Sequence, residues 1–79
     1  MAPTVVRHGA YRLFFFSREE PRMHVHVEHP DGDVKFWLVP TVAVATCTGL
    51  SGRQLREAQA IVEAQLKEIH HAWNHHFGR

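Results

Sequence analysis

Leu55, Ala58, Val62, Leu66, Ile69, Trp73 and Phe77 recur at spacings of three and four, which draws one apolar stripe down a helix of roughly seven turns. Ser51 supplies an N-cap, Gln54 three residues on completes a capping-box pattern, and Gly78 provides a stop. The spacing predicts a single C-terminal helix of about 25 residues, about 37 Å long at 1.5 Å per residue. Such a rod cannot be stable alone in water; its stripe must be buried against something. The chain has only 79 residues, so the segment before Ser51 has to form the cover. A strand of seven residues spans less than such a helix, so one end is expected to overhang or to meet a second copy, which makes a homodimer an expectation.

The cover reads as strands. Met23 to His29 and Asp33 to Val39 alternate by twos around Pro30-Asp31-Gly32, where Asp-Gly suits the positive φ angles of a tight hairpin. Met23, Val25, Val27, Val34, Phe36 and Leu38 then share one face. His24, His26, Glu28, Lys35 and Trp37 share the other. A two-residue Asp31-Gly32 turn sets Glu28 opposite Lys35 and His26 opposite Trp37, whereas a four-residue turn pairs His26 with Lys35 and His24 with Trp37; either register leaves the faces unchanged. Val5-Val6-Arg7, a loop at His8-Gly9-Ala10 and Tyr11 to Ser17 read as a further hairpin, with Arg12, Phe14 and Phe16 on one face. Arg18-Glu19-Glu20-Pro21-Arg22 is a charged loop. Pro40 ends a strand, and Thr41-Val42-Ala43-Val44-Ala45-Thr46 forms another or a short helical turn. No linker, repeat or low-complexity tract interrupts the pattern. The expectation is one α+β domain over residues 1–79, with four or five antiparallel strands packed on one long C-terminal helix.

Composition narrows the classes. No segment reaches the roughly 20 apolar residues of a membrane span, and the first residues lack a secretory signal, so a cytoplasmic location is expected. The lone Cys47 has no disulfide partner in the chain and reads as a small buried hydrophobe. A net charge of +1 gives no bulk electrostatic case for nucleic acid. Histidine is the outlier, at 8 of 79 residues, and its charge changes near neutral pH.

The candidate site is the strand His24-Val25-His26-Val27-Glu28. Histidines at i and i+2 project from one face about 7 Å apart at the backbone, within reach of one metal ion or one phosphate. Three uses stay open. With Glu28 the pair could hold zinc or iron, the cofactors this reading would take. Without metal, one histidine serves as general base and the other as general acid, Arg12 or Lys35 holds a phosphate, and Trp37 or Phe14 stacks a base, as in a small ribonuclease or an RNA-binding surface. Otherwise the aromatic face is a protein-interaction module. His29 belongs to the opposite face and reads as a turn residue. Glu68, His71 and His75 share a helix face that reads as solvated, where protonated histidines also suit the helix C-terminus.

Pro3-Thr4, Tyr11 with Phe14-Phe15-Phe16-Ser17, Glu20-Pro21, His24-Val25-His26-Val27-Glu28, Lys35-Phe36-Trp37-Leu38, Gly49-Leu50-Ser51 and Trp73-Asn74 with Phe77 give the chain a resemblance along nearly its whole length. It resembles the small bacterial family called domain of unknown function 4160. It departs from the family pattern at Pro21-Arg22-Met23, where two prolines are common, and at His70-His71 and His75-His76, where acidic residues are commoner. The resemblance implies a compatible fold and no established activity. It also implies a stand-alone protein often encoded beside a second small protein, an arrangement like that of toxin–antitoxin pairs.

Overall fold

A computed structural model describes residues 4–15 and 22–77. Five strands, β1 (Thr4–His8), β2 (Tyr11–Phe14), β3 (His24–His29), β4 (Gly32–Trp37) and β5 (Ala43–Thr48), are followed by helices α1 (Gly52–Ala64) and α2 (Leu66–His76). The strands form one sheet in the order β1-β2-β3-β4-β5, each pairing antiparallel with the next. This is the simplest meander, and short loops can close it. At the first loop His8 pairs with Tyr11, and Gly9 takes a φ of 59°. That positive angle at the first of two loop residues is where glycine avoids a Cβ clash.

The β3–β4 hairpin adopts the register with His24 opposite Trp37 and His26 opposite Lys35. Its two-residue loop is set one position earlier than Asp31-Gly32. His29 pairs with Gly32, so Pro30 and Asp31 form the loop, and the positive-φ glycines are Gly9 and Gly49 rather than Gly32. Gly32 is needed for space: a Cβ there would run into the Thr48 carbonyl oxygen, where the chain crosses toward Gly49.

The expected alternation holds. Leu13, Val25, Val27, Val34, Phe36 and Leu38 are each 2% exposed or less and pack with Ala58, Ile61, Val62, Ile69 and Trp73 from the helices. Leu55, Leu66 and Phe77 line the margin of this core. Ser51 caps α1 as its pattern requires: its hydroxyl accepts from the Gln54 backbone N–H at 3.1 Å, and the Gln54 side chain accepts from the Ser51 N–H at 2.8 Å. Gly78, the expected stop, lies outside the described residues, as do Phe16, Glu20 and Pro21.

The single long helix is not observed. Gln65, at φ −105° and ψ 14°, separates α1 from α2. Hydrogen bonds from the Gln65 N–H to Ile61 and from the Ile69 N–H to Gln65 flank the break at 3.0 and 2.9 Å, so the chain bends at one residue without losing its backbone pairing. A straight rod of about 37 Å would exceed the 34 Å longest dimension of the domain. The bend keeps Ile69 and Trp73 in the core.

Cys47 also differs from its reading as a buried residue: it is exposed. It lies opposite buried Val34, and Val44 opposite buried Phe36, so both are on the helix side of the sheet. Val44 is nevertheless 42% exposed. The helical layer therefore stops short of β5.

Candidate functional site: the open face of the sheet

Because side chains alternate, the same strands that bury Leu13, Val25 and Phe36 place Arg12, Phe14, His26, Glu28, Asp33, Lys35 and Trp37 on the opposite face, where Phe14 is itself buried, at 8% exposed. The pairings Arg12 with Glu28 and Phe14 with His26 across β2 and β3, and His26 with Lys35 and Glu28 with Asp33 across β3 and β4, bring them into one patch. Arg12, Glu28, Lys35, Trp37 and His26, all expected here, are gathered as their spacing implies.

The patch is built from cations lying on rings. The Arg12 guanidinium sits 4.6 Å from the Phe14 ring centre, and Arg22 and Lys35 lie 4.3 and 4.5 Å from Trp37. Such contacts stabilise by about 0.5–1 kcal/mol each at exposed sites. Arg22 is held by its Nε–H, which donates to the Val39 carbonyl at 3.1 Å. Arg12 donates from Nε to the Thr4 hydroxyl at 2.7 Å and from Nη1 to Glu28 at 3.0 Å. Phe14 and His26 stack with ring centres 5.4 Å apart and planes 22° from parallel. Between them and β5 lies a cavity of about 210 Å³ whose walls include Phe14, His26, Glu28, Asp33, Lys35 and Thr46.

His24 differs from its neighbours. It shares the strand face of His26 but is 0% exposed; Trp73 of α2 packs against it edge-on at 5.2 Å, and Trp37 and His26 contact it at 5.8 and 5.2 Å. Its Nδ1 lies 2.7 Å from the Arg22 carbonyl oxygen. A carbonyl only accepts, so Nδ1 carries the hydrogen. This contact ties the loop bearing Arg22 to the start of β3.

Among the described residues, no three His, Cys, Asp or Glu side chains come together in a way that could hold a metal ion. Glu28, the third ligand of the zinc or iron reading, is turned toward Arg12. On α2, Glu68, His71 and His75 are exposed, as expected of a solvated face. His29 sits on the helix side, its ring 4.7 Å from Tyr11, and its Nδ1 accepts from the Asp31 N–H at 3.1 Å.

Three participants escaped the sequence reading. Arg22 and Asp33 have the strand parity of His24 and Lys35, so extending each alternation by one step would have found them. Tyr11 could not be found this way, because its partner is on α1. Its hydroxyl donates to Glu57 at 2.7 Å. Burial, then this bond, pushes the phenol up to about 12, while the same hydrogen bond holds the Glu57 carboxyl below its ordinary value.

Among the described residues, no helix is long and apolar enough to cross a membrane. No curated protein and no solved structure matches the chain. The model of the family described as Domain of unknown function (DUF4160) matches residues 10–74, and the chain belongs to that family.

Proposed function

We propose that the open face binds single-stranded RNA without cleaving it. The observation that carries this reading is the set of cations laid over rings, Arg12 on Phe14 and both Arg22 and Lys35 on Trp37, with His26 stacked beside them. Cations lying over rings on a sheet offer an unpaired base a stacked cation–ring surface at Trp37, and the same cations carry the charge that meets the phosphates between bases. Binding is favoured over cleavage because acid–base chemistry by two histidines needs both rings at the phosphate, and His24 is fully enclosed. In this account His26 meets the ligand and His24 positions the strand behind it. A second small protein, expected from the family resemblance, would act by covering this face.

The test is a titration of fluorescently labelled ten-nucleotide RNA followed by anisotropy. Loss of one stacking ring costs about 1–3 kcal/mol, so Trp37→Ala is expected to weaken binding roughly tenfold or more, and wild-type affinity should fall as salt rises. Undiminished binding by Trp37→Ala, or cleavage of the RNA that disappears in His26→Ala, would refute the proposal.

A further inference from the structure

We infer that β5 is an interface between two copies of this chain, which pair their β5 strands antiparallel about a two-fold axis and so continue the sheet from one copy into the other. β5 and β1 are the two edges of the sheet, and an edge strand offers unpaired backbone N–H and C=O groups to any strand that reaches it. The two edges differ. β1 carries an exposed arginine, Arg7, and charge on an edge strand discourages further pairing. β5 reads Ala43-Val44-Ala45-Thr46-Cys47-Thr48, with no charge, proline or glycine, and five of its six residues are exposed. Among the described residues, backbone hydrogen bonds outside the helices and the sheet ladder involve none of the six.

An irregularity in β5 makes the strand complementary to itself. Val44 pairs with Phe36 and Thr46 with Lys35, which leaves Ala45 between them as the extra residue of a bulge. In a regular strand, residues three or five positions apart point to opposite faces. The bulge resets the alternation, so Val44 and Cys47, opposite Phe36 and Val34, share the helix side, while Ala43 and Thr48, opposite Trp37 and Asp33, share the open face. A two-fold axis at the centre of β5 therefore sets Val44 opposite the second copy's Cys47 and Ala43 opposite the second copy's Thr48, every pair on a common face. Val44, 42% exposed where the helices leave β5 bare, is covered by this pairing, and no like charges meet along the new ladder because β5 has none. Each copy has one such edge, so the assembly closes at two chains instead of growing into a filament. The axis stands perpendicular to the sheet, which leaves both helical layers on one side and joins the two open faces into one surface on the other.

The experiment is analytical sedimentation of the full chain up to millimolar concentration, joined to a cross-link that reads the register. Wild type is expected at twice the 9.1 kDa chain mass. Val44→Lys sets an ammonium group from each copy into the new contact and should raise the dimer dissociation constant roughly tenfold or more, with the far-UV circular dichroism unchanged because the side chain is exposed in the single chain. Val44→Cys is the milder variant and decides the matter if Val44→Lys fails to fold. Directly opposite residues lie about 4.5–5.5 Å apart at Cα, within the span of a disulfide, whereas positions 44 and 47 of one extended strand are too far apart to bridge. Oxidised Val44→Cys should therefore run as two chains on a non-reducing gel, with position 44 joined to Cys47 in the peptide map, and the further change Cys47→Ser should abolish the link. A wild type that sediments as one chain throughout, a dimer that folded Val44→Lys leaves intact, or an oxidised Val44→Cys in which position 44 does not join Cys47 would each overturn the inference.

Discussion

The two faces of this sheet are made by the same strands, residue by alternate residue, and they follow different rules. On the helix face Leu13, Val25, Val27 and Phe36 are fully buried and apolar, so their contribution comes from removing surface from water and filling space. On the open face Phe14 and Trp37 carry cations, and Glu28 faces Asp33. A face selected only for stability would not set two carboxylates opposite each other. The contrast separates residues that hold the fold from residues of the proposed RNA-binding face, and Phe36 and Trp37, adjacent in sequence, fall on opposite sides of it.

The sharpest way to break the contrast is to remove those two side chains separately. Phe36→Ala leaves a void in the core and is expected to cost about 3–5 kcal/mol in denaturant unfolding, enough to unfold much of a domain this small. Trp37→Ala loses two cation–ring contacts and is expected to cost only about 1–2 kcal/mol at about 0.5–1 each. Equal losses for the two variants would mean that the open face is covered and structural.

A smaller effect sharpens the helix side. Tyr11→Phe removes the hydrogen bond to Glu57 and should cost about 0.5–1.5 kcal/mol. Its pH dependence carries a signature. The phenol lies near 12 in the folded protein against an ordinary 10.0, so folding favours the neutral form. That stability is fully present below pH 10 and is lost as the pH rises from about 10 through about 12. Glu57, held low by the same bond, contributes above its ordinary carboxyl value and loses its contribution as the pH falls through the depressed one. Unfolding curves of Tyr11→Phe should lack the alkaline loss expected of wild type.

Local features of this fold were legible in the sequence, and features set by distant contacts were not. Alternation in β3 and β4 placed Val25 and Phe36 inside and Lys35 and Trp37 outside, since a pleated strand leaves no other arrangement. The Ser51 cap was legible because its donors and acceptors lie within three residues. The bend at Gln65 was not, because no proline or glycine marks it and the constraint is the extent of the sheet that the helix must cover. Gly32 looked like a turn glycine, yet its reason is the Thr48 backbone, sixteen positions on. At the site, periodicity gave the face of His24 but not its depth, which depends on Trp73 arriving from α2. Cys47 was misjudged for the converse reason, since nothing local reveals that the helices stop before β5.

The most direct test of the central claim is to follow backbone amide signals of isotope-labelled protein by NMR as unlabelled ten-nucleotide RNA is added. The account predicts shifts concentrated at Arg12, Phe14, His26, Glu28, Asp33, Lys35 and Trp37, with the exposed side of α1 and α2 unmoved. Shifts confined to the helices, or none at RNA concentrations above the measured dissociation constant, would contradict it.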